Sequence, residues 1–242
     1  MPHADLHFYF DPICPFAWMT STWVRQVMAA REYSVDWRFI SLRLVNADVD
    51  YDAHFPSNYE FTHTLGLRLL RMTARARAEF GPGAVDALQR SFGEHIFEVP
   101  PWESEAQRRA TLGSDEYVER MLARAELPGD LIDALDDPDW EKVVQQETDQ
   151  ALTLTGKDVG TPILHVDPPD GVSFFGPVIS RRPADEDAVE LWDHVLGLAR
   201  YPGFSELKRS LRERLQLPVL GVKDGEVGIQ EVWHQGSRRL KK

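Results

Sequence analysis

The sequence predicts an α/β protein in which a large block of helices interrupts a small sheet domain. Three observations predict it: a β-α-β pattern in the opening residues, helical patterning from about Asn46 to Gly156, and a β-β-α pattern that begins at Ile163. Parallel strands need a crossover connection, and unknotted chains keep such units together, so both ends are expected to share one sheet with helices against it. The chain has 242 residues, 43% hydrophobic and 10% aromatic, which is ample for a packed core and carries no disorder signature.

Leu6-His7-Phe8-Tyr9-Phe10 is short, aromatic-rich and followed by Asp11-Pro12, so it reads as a buried strand stopped by a turn. After Pro15, a run from Phe16 to Arg31 contains no further Pro or Gly. Proline suits the first helical position because its missing N–H would have no partner there, which makes Cys14 the N-cap and places a thiol at a helix N-terminus. Val35, Trp37 and Phe39 alternate with Asp36 and Arg38, the period of a second strand that runs to about Leu42.

In the helical block Leu65, Leu69, Met72, Ala76 and Phe80 recur at spacings of three and four until Gly81-Pro82-Gly83 stops them. Further helices are expected at Val85–Phe97, at Ser114–Ala125 with Ser114 as cap, at Asp130–Leu135 and at Asp139–Thr155. Strand chemistry returns at Ile163–Val166, and Asp167-Pro168-Pro169-Asp170-Gly171 turns it into Val172–Phe175. Pro183 and the acidic Asp185-Glu186-Asp187 suit the first turn of a last helix, whose buried face is Val189, Trp192, Val195, Leu196 and Ala199. The expected organisation is therefore 1–45 and 157–216 as the two parts of the sheet domain, 46–156 as a helical insertion, and 217–242 as a partly ordered tail ending Arg238-Arg239-Leu240-Lys241-Lys242.

Composition removes several functions. A net charge of −12 opposes any polyanion, which argues against nucleic acid. Cys14 is the sole cysteine, so no intramolecular disulfide and no multi-thiolate metal site is available. The histidines lack ligand spacing, so no metal is expected. Gly81-Pro82-Gly83 is a turn without the lysine of a phosphate loop, and no Gly-x-Ser-x-Gly elbow occurs. There is no stretch of the ~20 apolar residues a membrane span needs, and a strand beginning by Leu6 leaves no room for a secretory leader; a cytoplasmic protein without membrane contact is expected.

Phe10-Asp11-Pro12-Ile13-Cys14-Pro15-Phe16-Ala17-Trp18, Val159-Gly160-Thr161-Pro162 and Phe174-Phe175-Gly176-Pro177 carry a resemblance. In order and spacing they resemble the DsbA-like superfamily, a thioredoxin fold with a large helical insertion, and within it the actinobacterial mycothiol-dependent nitroreductase branch. The dominance of Arg over Lys, a mark of GC-rich coding, agrees with such a source. The resemblance runs from about Leu6 to Leu207. A related branch, the kappa-class glutathione transferases and hydroxychromene-carboxylate isomerases, usually has Ser where this chain has Cys14, so Cys14 favours the redox side. The usual Cys-Pro-x-Cys motif is broken at Ala17, and any redox cycle must be monothiol.

The thiolate is the nucleophile, and a helix N-terminus favours it through unpaired N–H groups and the macrodipole. Asp11 opposes that shift if its side chain lies nearby, so the sequence leaves the balance open. An isolated cysteine is more often a small buried hydrophobe; Pro15, Trp18 and Thr161-Pro162 tip the reading toward a reactive thiol. By the resemblance Pro162 is a cis-proline facing Cys14, the backbone of Thr161 pairs with an extended thiol substrate, and Pro15, Phe16, Ala17, Trp18, Phe175 and Gly176 line the groove. Taken alone, Thr161-Pro162 reads as a trans-proline at a strand start, and Phe175-Gly176 equally well ends a strand. Arg68, Arg71 and Arg75 share one helix face, which reads as solvated rather than substrate-binding.

The leading function is a thiol-disulfide oxidoreductase in which Cys14 works with a low-molecular-weight thiol, mycothiol or glutathione, as cosubstrate. The alternatives are a kappa-like transferase or isomerase that activates the thiol of a bound cofactor, and a non-catalytic thiol-binding module. The resemblance also allows a homodimer.

Overall fold

A computed structural model describes residues 4–156, 159–209, 211–222 and 230–232. Strand β1 (Leu6–Phe10), helix α1 (Pro15–Ala30) and strand β2 (Val35–Phe39) form the opening unit, with β1 and β2 parallel and Phe10 in register with Phe39. Strands β3 (Ile163–Val166) and β4 (Ser173–Phe175) follow the insertion as an antiparallel hairpin, β3 also antiparallel to β1, so the sheet order is β2-β1-β3-β4. The central strands are buried except at His7 of β1, as expected of strands covered on both faces. This is the thioredoxin-type arrangement the sequence predicts.

β2 ends at Phe39 and not near Leu42: the N–H of Ile40 still reaches the Phe10 carbonyl at 3.2 Å, but the next donor on that edge goes to the Asp11 side chain instead of a β1 carbonyl, while side chains of the insertion take the donors of the outer edge. The N–H of Phe39 donates to Glu147 Oε2 at 2.8 Å, that of Ser41 to Thr148 Oγ1 at 3.0 Å, and that of Leu42 to Asp11 Oδ2 at 2.7 Å. Ser41 then caps a short helix α2 (Leu42–Val45) by accepting from the N–H of Leu44.

The insertion contains α3 (Tyr51–His54), α4 (Tyr59–Phe80), α5 (Pro82–Ile96), α6 (Glu105–Leu112), α7 (Asp115–Arg124), a 3-10 turn at Gly129–Ala134 and α8 (Pro138–Thr155). Ser114 caps α7, accepting from the N–H of Tyr117. α6 buries only Leu112, so no apolar stripe marked it in the sequence. The stretch expected as a helix at Asp130–Leu135 is a 3-10 helix over Gly129–Ala134, the tighter form common in short connectors, between Pro128 and Pro138. α4 is the spine: Leu65, Leu69 and Met72 face a core shared with Phe92, Leu112 and Met121, whereas Leu67, Leu70 and Ala74 face the core over the sheet. Arg68, Arg71, Arg75 and Arg77 are cross-links, not a solvated face. Arg68 grips Asp136 through two hydrogen bonds of 2.8 and 2.7 Å, Arg71 pairs with Glu141, Arg75 with Asp130 at 3.0 Å, and Arg77 with Glu147 at 2.7 Å.

The last helix, α9 (Ala188–Ala199), starts after the acidic triplet. Residues 185–187 form a turn, and Gln26 of α1 donates to the Pro183 carbonyl at 3.1 Å and pairs with Asp185 at 2.5 Å, which holds that segment outside the helix. Trp192 is fully buried against Trp23 of α1. Beyond α9, Leu215 and Leu217 are buried with the insertion, and the N–H of Val219 donates to the Phe97 carbonyl at 3.1 Å. Strands β5 (Leu211–Glu213) and β6 (Gln230–Val232) form a separate antiparallel pair. The basic residues Arg238 to Lys242 lie outside the described residues. Among the described residues, no helix is long and apolar enough to cross a membrane.

Candidate active site

Cys14 is the N-cap of α1 with extended backbone angles, φ −87° and ψ 112°, and Pro15 begins the helix. The turn that delivers it is short: the N–H of Cys14 donates to the Asp11 carbonyl at 3.0 Å, and the Cys14 carbonyl accepts the first helical bond from the N–H of Trp18, also at 3.0 Å. Opposite lies the hairpin start, where the Thr161–Pro162 peptide is cis. The Cys14 thiol donates to the Thr161 carbonyl, with the sulfur 3.3 Å from the oxygen. The structure therefore brings Cys14, Pro15, Thr161 and Pro162 together.

Phe175 and Gly176 flank that pair on the neighbouring strand. The N–H of Gly176 donates to the Pro162 carbonyl at 2.9 Å, the Phe175 ring lies over Gly160, and Phe175 is 43% exposed. Gly176 has φ +97°, a conformation that glycine adopts without steric cost, and leads into a second cis peptide at Pro177. Thr20 of α1 donates to the Pro177 carbonyl at 2.7 Å, which locks the helix to this loop. Ala17 is buried in the core over the sheet, and Phe16 packs against both major cores.

Trp18 is turned inward. Its Nε1–H donates to Glu98 Oε1 at 2.7 Å, and its ring occupies the place where a Cβ on Gly93 would sit. An open groove of about 790 Å³ runs along α1, lined by Trp18, Thr22, Arg25, Gln26, Glu98 and Arg182 among others, and Cys14 does not line it. Gly66, Gly93, Glu98 and Thr20 were not singled out from the sequence. The available signal was the presence of glycines inside otherwise regular helices and of hydroxyls on a buried helix face.

Electrostatics resolve the balance that the sequence left open. Cys14 is only 7% exposed, and burial pushes its thiol up to about 12, against the N–H groups of Ala17 and Phe16, which favour the thiolate, and with the Asp11 charge, which disfavours it. Burial also pushes Asp11 up, to about 7, although its carboxylate accepts from the N–H of Leu42 and of Ile13. The resting site holds a neutral thiol, in keeping with its role as hydrogen-bond donor to Thr161. Among the described residues no cluster of three or more His, Cys, Asp or Glu could hold a metal ion.

Residues 13–209 match the sequence family described as Rv2466c-like, mycothiol-dependent nitroreductase Rv2466c. The chain is 30% identical over 211 residues to the uncharacterized protein Rv2286c of Mycobacterium tuberculosis, a match that covers 85% of this chain and 82% of that protein. In three dimensions it is similar to the probable DsbA oxidoreductase SCO1869 of Streptomyces coelicolor, with a TM-score of 0.53 and 16% identity over 89% of this chain and 98% of that one. The shared fold is a thioredoxin fold with a helical insertion.

Proposed function

The chain belongs to the Rv2466c-like family of mycothiol-dependent nitroreductases, and from that premise we propose that it is a cytoplasmic monothiol oxidoreductase with Cys14 as nucleophile and a low-molecular-weight thiol, mycothiol first, as cosubstrate. The observation that carries the reading is the meeting of an N-cap cysteine with the carbonyl that precedes a cis-proline. An extended thiol substrate laid along Thr161 would place its sulfur against Cys14, with Phe175 and Gly176 at the side.

In the proposed cycle the Cys14 thiolate attacks one sulfur of a disulfide, the new S–S bond forms as the old one breaks, and the departing thiolate takes up a proton. A small thiol, as its thiolate, then attacks the substrate-derived sulfur of the mixed disulfide and restores Cys14. The electrons come from the small thiol, because a chain with one cysteine forms no internal disulfide. Turnover of a mixed-disulfide substrate with mycothiol or glutathione, abolished in Cys14→Ser, is the expected result. Full turnover in that variant would overturn the reading.

A second reading is favoured by the protonated state of Cys14. A neutral S–H that already donates a hydrogen bond could donate to the sulfur of a bound thiol and orient it, as a serine would, and the reaction would be transfer or isomerisation. Cys14→Ser then keeps substantial activity, so the same variant separates the two.

A further inference from the structure

We infer that Asp11 is a positioning residue for Cys14: it holds the turn that presents the thiol, and its charge adds to the burial that disfavours the thiolate. The inference rests on Cys14 being the reacting group of the site. Asp11 is 1% exposed and lies three residues before Cys14 in the same turn. One carboxylate oxygen accepts from the N–H of Ile13 at 3.1 Å, next to Cys14, and the other from the N–H of Leu42 at 2.7 Å, the first residue of α2. α4 closes over it at Gly66, where a Cβ would stand 2.4 Å from Asp11 Oδ1. A carboxylate thus joins the cysteine turn to α2 and packs directly beneath α4 of the insertion.

Its two hydrogen-bond partners are backbone N–H groups, and among the described residues no Lys or Arg salt bridge reaches it. The groups that face it are Cys14 from its own turn and Tyr51 from α3. Tyr51 is neutral at ordinary pH, its phenol pushed up by burial; it hydrogen-bonds to His63 of α4 at 2.9 Å and lies under the Arg43 guanidinium of α2, which itself reaches Glu60 at 3.8 Å. Of the two, Cys14 is the one in the same turn as Asp11, and its thiol is disfavoured as a thiolate by the Asp11 charge. Because two interacting sites titrate as a pair, the thiol has one ionisation midpoint while Asp11 is protonated and a higher one after Asp11 ionises.

The test is the rate of Cys14 alkylation by iodoacetamide in the full-length protein from pH 5 to 9. The expected wild-type profile rises tenfold per pH unit, flattens across the Asp11 titration near pH 7 and then resumes, with a displacement of about one unit between the two rising limbs. Asp11→Asn should give one uninterrupted slope and alkylate about tenfold faster than wild type above pH 8. A wild-type profile with no flattening, or no labelling of the folded protein at any of these pH values, overturns the inference even if Asp11→Asn fails to fold. So does Asp11→Asn that lowers the melting temperature but keeps the wild-type profile. His63→Gln should keep the flattening; its disappearance there would assign it to the histidine and overturn the inference. Alkylation reads the thiol and not turnover, so full activity in Cys14→Ser would defeat the proposed function and leave this coupling measured on its own.

Discussion

Cys14 and Thr161, 147 residues apart in the chain, meet across the site with the cysteine sulfur 3.3 Å from the threonine carbonyl oxygen. The contact joins the end of the first β-α step to the start of the returning hairpin, so the helical insertion must close before the site exists. It also engages, in the resting protein, the carbonyl that an extended substrate would use. A substrate N–H that takes Thr161 as acceptor competes with the thiol proton for the same oxygen, which links occupancy of the groove to release of the thiol.

The Cys14 thiol predicts an alkaline loss of stability. Its midpoint is raised by folding, from about 8.5 in a free chain to about 12, so above the unfolded value the unfolded state holds fewer protons than the native one. Stability contributed by the protonated thiol is complete below about pH 8.5 and is lost as pH rises toward 12. Urea unfolding at pH 8 and pH 10 is expected to show this loss in wild type and to lack it in Cys14→Ser. Equal losses in both proteins would mean that other groups cause it.

Asp11 gives the same sign in a lower window, opposite to the usual behaviour of a carboxylate. Folding raises its midpoint from about 3.9 to about 7, so the native state binds the extra proton between those values. Its contribution is complete below about pH 4 and declines as pH rises through 7, by on the order of 4 kcal/mol if the full shift is realised. Asp11→Asn should flatten the slope of unfolding free energy between pH 5 and 7. A variant whose stability still falls in that interval as steeply as wild type contradicts it.

The sheet, the first helix and its cap were legible because each left a local mark. Pro15 stands at a helix start, Phe8 and Phe10 at a buried strand, and Ser114 before an acidic first turn. What stayed hidden depends on contacts distant in sequence. The outer edge of β2 is closed by Glu147 and Thr148, more than a hundred residues away, its ladder is ended by Asp11, and the direction of Trp18 is set by Glu98 and Gly93. The charge state of Cys14 was undetermined for the same reason. A helix N-terminus is visible in sequence, whereas the depth of burial that outweighs it is created by the insertion folding over the turn.

Gly93→Ala tests the packing beneath the site. The added Cβ would lie 2.0 Å from the Trp18 ring, which is held by its bond to Glu98 and borders the open groove along α1. Overpacking of this kind costs typically ~1–3 kcal/mol. The variant should lose stability by that amount and red-shift the tryptophan emission as the ring is displaced toward solvent. Wild-type stability in Gly93→Ala would mean that α5 moves freely relative to α1.

Glu147 is expected to matter far more than its charge suggests. One oxygen accepts from the Phe39 N–H at the end of β2 and the other pairs with Arg77, whose guanidinium also lies 4.3 Å from the Phe39 ring. The carboxylate is 12% exposed, so Glu147→Ala leaves a backbone donor and a cation without their acceptor in a place water reaches poorly. A loss of about 2–3 kcal/mol is expected, since hydrogen bonds to charged groups are worth about that much. Lys142 and Asp139, on the same helix α8, form a pair of similar length at 2.7 Å but are 78% and 79% exposed, and solvent screens them. Asp139→Ala should leave the unfolding midpoint unchanged. If the two alanine variants behave alike, the junction between β2, α4 and α8 does not stabilise the fold as its burial implies.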